Sequence, residues 1–249
     1  MSQNTPAVKS SVAHLNNVVL AAVCMESLIN AASNLPRIGV LYGKAGLGKS
    51  SAACYLVNRY NAYRIECKSV WNRKTVLVEI LKRMGITPGK TMPDMLDQIC
   101  SQLMVSGRPL IIDEMDHLVD KGAVEIIRDI HDGGQAAVLL IGEEDIPHKL
   151  ERWERVHSRV LDWKAVQPLD LDDAQLLADH YTRKVTIQPD LIIHIHKLSE
   201  GSARRIVVNL ALVEEIAMRL NLHSIDLAAW NGAGQQLYTG KSPVRGGRK

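Results

Sequence analysis

Residues 37–50 read Arg37-Ile-Gly-Val-Leu-Tyr-Gly-Lys-Ala-Gly-Leu-Gly-Lys-Ser50: an apolar strand, a glycine loop and the start of a helix. From Gly43 the spacing is Gly-x-x-x-x-Gly-Lys-Ser without a mismatch, and the strand before and helix after make it a phosphate cradle. Glycines let backbone N–H groups converge on phosphate oxygens, and the helix N-terminus adds partial positive charge. Lys49 is placed to reach the β- and γ-phosphates, and the Ser50 hydroxyl to ligate Mg²⁺. Gly43, Lys44, Ala45, Gly46, Leu47, Gly48, Lys49, Ser50 and Ser51 are therefore the candidate nucleotide contacts, with ATP and Mg²⁺ as cofactors.

A phosphate loop needs an acid to hold the metal, at the end of a neighbouring strand. Pro109-Leu-Ile-Ile-Asp-Glu114 supplies it: a fully apolar run, then two carboxylates where the strand emerges. Asp113 is the candidate for the Mg²⁺ shell and Glu114 for polarising the attacking water. Asp113-Glu-Met-Asp116 also spells the box of helicases. Those enzymes need two tandem α/β domains, and the residues after Pro168 read as helical and too few for a second one.

Outward from these motifs, strands and helices alternate. A helix is expected over about Ser11–Ala32, with Val12, Leu15, Val19, Val23 and Ile29 at helical spacing. Strands are expected at Ala62–Cys67, Ala136–Ile141 and Val160–Trp163, and helices at Ser50–Tyr60, Asn72–Met84, Met92–Val105 and Ala123–His131, with an Arg-rich helix before Val160. This pattern implies a doubly wound α/β domain around a parallel sheet. After Pro168 only helices are expected, at Leu171–Tyr181, Pro189–Leu198 and Ser202–Leu220, forming a small helical lid. The domain reading is residues 1–36 as N-terminal tail and helix, 37–167 as core, 168–230 as lid and 231–249 as a basic, flexible tail.

The chain of 249 residues is 46% hydrophobic without a single Phe, so its core is aliphatic. Cys24, Cys54, Cys67 and Cys100 form no Cys-x-x-Cys pair, which argues against a zinc site or a disulfide framework and fits a reducing cytoplasm. No stretch is long enough to span a membrane. The net charge is +3, yet Lys241, Arg245, Arg248 and Lys249 alone supply more than that, without an acid beyond residue 230. Arg64, Lys68, Arg73, Lys74, Lys82 and Arg83 make a second basic cluster beside Trp71. Lys68, Arg73 and Lys74 are the candidate DNA contacts, to phosphates rather than base edges. His194 and His196 read as packing residues.

With those residues in place, the chain resembles an AAA+ ATPase of the initiator-like clade over about Arg37–Leu212. Val156-His-Ser-Arg159 is similar to the segment that holds the arginine finger, so the resemblance implies that role for Arg159, with Arg155 as the reserve. Gly201-Ser-Ala-Arg204 resembles the second sensor of the lid, where an arginine contacts nucleotide; Arg204 matches it. Within the clade the chain looks like the transposition regulators, relatives of the phage Mu transposition protein B and of the ATPases of Tn7-like elements. That likeness rests on the single module, the Asp-Glu box, Leu140-Ile-Gly142 and Cys67-Lys-Ser-Val-Trp-Asn-Arg-Lys-Thr75. It implies ATP-dependent assembly, as a ring or helical filament, on double-stranded DNA of any sequence, and activation of a partner transposase. The alternatives are a replication initiator or helicase loader, and an assembly ATPase that binds no DNA. Two departures stand out. Gly142-Glu143 occupies the place where most AAA+ proteins carry a polar first sensor, and too few residues precede Ile38 for the Mu protein's N-terminal DNA-binding domain.

Overall fold

The structure, a computed structural model, describes residues 13, 15–32 and 34–241. Strands β1 (Ile38–Tyr42), β2 (Tyr63–Glu66), β3 (Leu110–Asp113), β4 (Val138–Gly142) and β5 (Val160–Ala165) form one sheet in the order β2-β3-β4-β1-β5. Every pairing is parallel, as the doubly wound reading requires. The three central strands carry the most apolar sequence: β3 and β4 are buried at every residue, and β1 at all but Tyr42. Parallel strands cannot be joined by tight turns, so helices cross over between them. These are α2 (Lys49–Tyr60) after β1, α3 (Arg73–Met84) and α4 (Met92–Ser106) after β2, and α5 (Asp116–Asp120) and α6 (Glu125–Gly134) after β3. Then α7 (Ile146–Glu151) and α8 (Glu154–His157) lead into β5.

The helix ends are written locally. Asn72 caps α3 by accepting from the Thr75 N–H, and Thr91 and Asp94 form a reciprocal capping box at α4. Gly85 and Gly107 close the same two helices in left-handed geometry.

Residues Asn17–Gln167 make one compact unit, and a second takes the chain from Pro168 on. The second unit is helical: α9 (Leu171–Tyr181), α10 (Pro189–Ser199), α11 (Ala203–Arg219) and α12 (Leu227–Gly232). It also holds one short parallel pair, β6 (Thr186–Ile187) with β7 (Ser224–Ile225), too brief to leave an apolar run in the sequence. His196 packs there, its Nε2 2.8 Å from the Leu169 carbonyl.

Four expectations are corrected. The first helix, α1 (Asn16–Ile29), buries Val18, Ala21, Cys24, Met25 and Leu28, while Val19, Val23 and Ile29 are exposed. It has two apolar faces, and the sheet takes the one whose Cys24 and Leu28 fit against Gly39, where a Cβ would come within 2.9 Å of both. The Arg-rich helix is two short pieces, broken at Trp153, whose ψ of 62° is not helical. Residues 231–241 do not hang free. Leu237 is buried, and Asn209 and Tyr238 exchange hydrogen bonds of 3.0 and 2.7 Å. The cations beyond Lys241 lie outside the described residues. Finally, Arg64 is turned from the other cations of its cluster into ion pairs with Asp113 and Glu66.

Candidate functional site

The site is built at the C-terminal edge of the sheet, where β1 lies between β4 and β5 although the chain runs from β1 to the far strand β2. Such a switch point is where open α/β sheets bind ligands. The glycine loop follows β1 there. Gly43, Gly46 and Gly48 have φ of 150°, 82° and 93°, in the range that glycine tolerates. At Gly43 the space is as restrictive as the angle, since a Cβ would stand 2.5 Å from Val166 Cγ2. Gly48 is the N-cap of α2 and uses no side chain, so the first N–H groups of that helix are left for an anion.

A residue outside the motif holds this loop. Buried Asn17 donates to the carbonyls of Leu47 (3.0 Å) and Gln167 (2.7 Å), and its Oδ1 accepts from the Gln167 N–H (3.0 Å). It staples the loop to the end of the segment leaving β5. An isolated Asn in an N-terminal helix carries no sequence signal for this.

The Lys49 ammonium donates to the carbonyls of Gly43 (2.5 Å) and Lys44 (3.0 Å), so it sits inside its own loop. Burial lowers its pKa from the usual lysine range, and the charges of Glu114, Glu143, Asp113 and Asp116 work against that. Ser50 and Ser51 are exposed on the first turn of α2. Lys44 is exposed, 4.0 Å from Glu144.

Asp113 and Glu114 lie at the end of β3, separated from β1 by β4 alone. Two strand spacings put them about 10 Å away laterally, room for a terminal phosphate and its cation. Asp113 is 1% exposed. Its Oδ1 accepts from the Glu114 N–H (3.0 Å) and its Oδ2 from Arg64 Nη2 (2.6 Å). For Arg64, burial opposes the charged form, but the bond and charge of Asp113 outweigh it and raise its pKa. Its Nε is buried without a hydrogen-bond partner among the described residues. Glu114 stands at φ 55°, a left-handed conformation rare for a side chain of its kind. Burial raises its pKa above the usual carboxylate range; Asp113, Asp116 and Glu143 add to this and Lys49 opposes it.

The donor set fits a hydrated magnesium ion. One hydroxyl and one carboxylate are hard oxygen ligands, and Mg²⁺ is ordinarily held by one or two such groups together with substrate phosphates. The cradle of positive-φ glycines, with open space at Gly48, fits the phosphates.

The other candidates lie elsewhere. Arg159 precedes β5, at the opposite edge of the sheet, about 17 Å from the phosphate loop along the strands. There it forks onto Asp132, Nε to Oδ1 and Nη2 to Oδ2 at 2.7 Å each, and lowers that carboxyl's pKa. Arg155 is exposed on α8. Arg204 is exposed on the first turn of α11. Lys68, Arg73 and Lys74 are exposed on the loop after β2 and the start of α3. Arg73 reaches the Gly122 carbonyl (2.7 Å), and Lys121 the Trp71 carbonyl (3.2 Å), which brings a fourth cation to this surface. Val70, 81% exposed, stands among them.

Residues 33–150 match the family model described as AAA domain. Comparison with curated protein sequences finds no match. Among solved structures the chain is similar to the Aeropyrum pernix ORC2 protein in ADPNP-ADP complexes, with TM-score 0.68 and 17% identity over 90% of this chain and 69% of that one. It is also similar to Cdc6p from Pyrobaculum aerophilum (0.65, 16%, 90% and 67%). The Aeropyrum pernix ORC1 protein in complex with DNA gives 0.62 and 18%, over 88% of this chain and 63% of that one. The chain thus spans about two thirds of the length of these structures. At such identities the likeness is one of fold: the AAA+ P-loop fold.

Proposed function

We propose that this chain is an AAA+ ATPase that binds ATP with Mg²⁺, hydrolyses it, and uses the nucleotide state to assemble on double-stranded DNA. One observation carries the reading: the glycine loop with Lys49 and the pair Asp113-Glu114 meet at one edge of one sheet, about two strand spacings apart. In this reading the loop N–H groups and Lys49 hold the phosphates, Ser50 and Asp113 hold the metal, and Glu114 takes a proton from the attacking water. The metal would supply charge neutralisation between the terminal phosphates. The raised pKa of Glu114 suits a base, since proton affinity grows with pKa. Arg159, and next Arg155, stand a strand length away from their own loop and are proposed to act on a neighbouring subunit's nucleotide. Arg204 is proposed to contact nucleotide from the helical unit.

The DNA surface is proposed to be Lys68, Arg73, Lys74 and the neighbouring Lys121, which bind phosphates irrespective of sequence. The likeness of the loop over Cys67–Thr75 to transposition regulators supports delivery of target DNA to a partner transposase. A second reading, a replication initiator or loader, is supported by fold neighbours that include the Aeropyrum pernix ORC2 and ORC1 proteins and Cdc6p. Imaging on random linear DNA with and without ATP separates them. Coating of any sequence only with ATP supports the first reading, confinement to particular sites the second, and no binding refutes both. Lys49→Ala is expected to weaken ATP binding severely, and Glu114→Gln to retain binding but lose most turnover. Unchanged nucleotide affinity in Lys49→Ala refutes the site.

A further inference from the structure

Glu114 holds a left-handed backbone in a residue that has a Cβ. Such a conformation persists only where its surroundings over-determine it. Part of the restraint is backbone: the Met115 N–H donates to the Ile141 carbonyl (3.0 Å), and the Glu114 carbonyl accepts from the His117 N–H (3.3 Å). The Cys67 N–H also donates to the Asp113 carbonyl (2.9 Å), just before Glu114. A further cross-strand tie is a side chain. Asp116, 7% exposed, accepts the Glu143 N–H on Oδ2 at 2.8 Å, joining the turn after β3 to the turn after β4.

The space that carboxylate occupies exists because residue 142 is glycine. A Cβ there would stand 2.7 Å from Asp116 Oδ2 and 3.0 Å from Ile146 Cγ1. The Gly142 backbone needs no positive φ, so its requirement is for room. Lys149 flanks the other oxygen, its Nζ 3.7 Å from Oδ1, but its ammonium lies closer to Asp120, at 3.0 Å. Among the described residues Asp116 Oδ1 has no hydrogen-bond partner. The bond to the Glu143 N–H is thus the shorter of the two polar contacts on this carboxylate, with the Lys149 ammonium beside the other oxygen.

We propose that Asp116 is a positioning residue for Glu114: standing in the space that Gly142 leaves, it clamps the two turns together and holds Glu114 in its strained, productive orientation. This rests on the reading of Glu114 as the base for ATP hydrolysis. The clamp is expected to act on catalysis more than on nucleotide capture: among the described residues Asp116 makes no hydrogen bond or ion pair to the glycine loop or Lys49, and it reaches Lys49 only through its charge.

The test is steady-state ATP hydrolysis by Asp116→Ala, Asp116→Asn, Gly142→Ala and the double variant Asp116→Ala/Gly142→Ala, with nucleotide affinity measured on each by a fluorescent ATP analogue. Asp116→Ala is expected to lower kcat about 10- to 100-fold, the cost of a misplaced catalytic group, with affinity within about threefold of the native chain. Asp116→Asn keeps an oxygen acceptor and is expected to retain the larger part of kcat. Gly142→Ala pushes the carboxylate aside and should resemble Asp116→Ala, while the double variant should be no worse than either single one, since both remove the same contact. A readout independent of turnover is thermal stability. Glu114→Gly relieves the backbone strain and should raise the melting temperature by less in the Asp116→Ala background than in the native one. The proposal is overturned if Asp116→Ala or Gly142→Ala turns over at the native rate, if Asp116→Asn is as slow as Asp116→Ala, or if the gain from Glu114→Gly is the same in both backgrounds. A Glu114→Gln variant with native turnover would instead refute the reading of the base itself, which separates the two failures.

Discussion

Arg64 is tied to the carboxylate proposed to hold the metal, so Arg64→Gln should make the protein less stable without ligand and more responsive to magnesium. The contact is 2.6 Å long, and the side chains of Arg64 and Asp113 are 20% and 2% exposed. Removing one partner of a buried pair costs about 3–5 kcal/mol, because the other charge is left uncompensated. The partial exposure of Arg64 favours the lower end, about 3 kcal/mol. For a unit of this size that is a melting temperature lower by about 6–12 °C. A magnesium ion that took the Asp113 oxygen held by Arg64 would have to displace the guanidinium in the native protein, but in Arg64→Gln it would meet no guanidinium there. The charge-assisted bond it replaces is worth about 1.5–3 kcal/mol, so half-saturation by Mg²⁺ should fall about tenfold or more. The assay is thermal unfolding and fluorescent-nucleotide binding at fixed nucleotide, titrated from excess chelator to millimolar magnesium. The stability gap between native and variant protein should narrow as the metal loads, since bound ligand stabilises the folded state. A variant that melts lower but has the native magnesium midpoint would make Arg64 a structural ion pair only. A midpoint that rises would mean that Arg64 helps the metal to bind; either result refutes the competition.

Four further outcomes follow from the same geometry. The acid limb of kcat should lie above pH 4.5, because burial, Asp113, Asp116 and Glu143 raise the pKa of Glu114 against the pull of Lys49, and hydrolysis needs Glu114 deprotonated. Asp116→Asn should move that limb to lower pH; a limb that stays put refutes the assignment. Arg159→Ala and Lys49→Ala proteins, each inactive, should recover part of the native ATPase rate when mixed, and co-assembly without recovery sends the test to Arg155. Arg73→Ala/Lys74→Ala should weaken DNA binding equally on AT-rich and GC-rich duplexes and flatten the salt dependence by about 0.9 per lost phosphate contact; a sequence-dependent loss refutes backbone binding. Alkylation read by mass spectrometry should find exposed Cys54 first, since burial pushes the Cys24 and Cys67 thiols up to about 12; early labelling of either refutes their burial.

What the sequence made legible is what short range encodes. β1, β3 and β4 announce themselves as apolar runs, and the caps at Asn72 and Thr91 lie within three residues of the groups they satisfy. The glycine loop reads for the same reason: its φ angles, its lysine and its helix start are contiguous. The side-chain ties of the site are of the other kind. Arg64 has the composition of a basic surface, but alternation along β2 turns it and Glu66 to one side and Tyr63 and Ile65 to the other. Only the adjacency of β2 and β3, which no local pattern states, brings it to Asp113, 49 residues on. The glycine at 142 looked like a missing polar group for a related reason. Its explanation is Asp116, 27 residues from the N–H it accepts, filling from the start of α5 the space at the end of β4. Strand order thus converts two sequence anomalies, a misplaced cation and an absent side chain, into contacts on the two carboxylates that flank Glu114. Both contacts sit beside the reacting groups without being them, where a change of partner alters metal loading or base geometry while leaving the phosphate cradle intact.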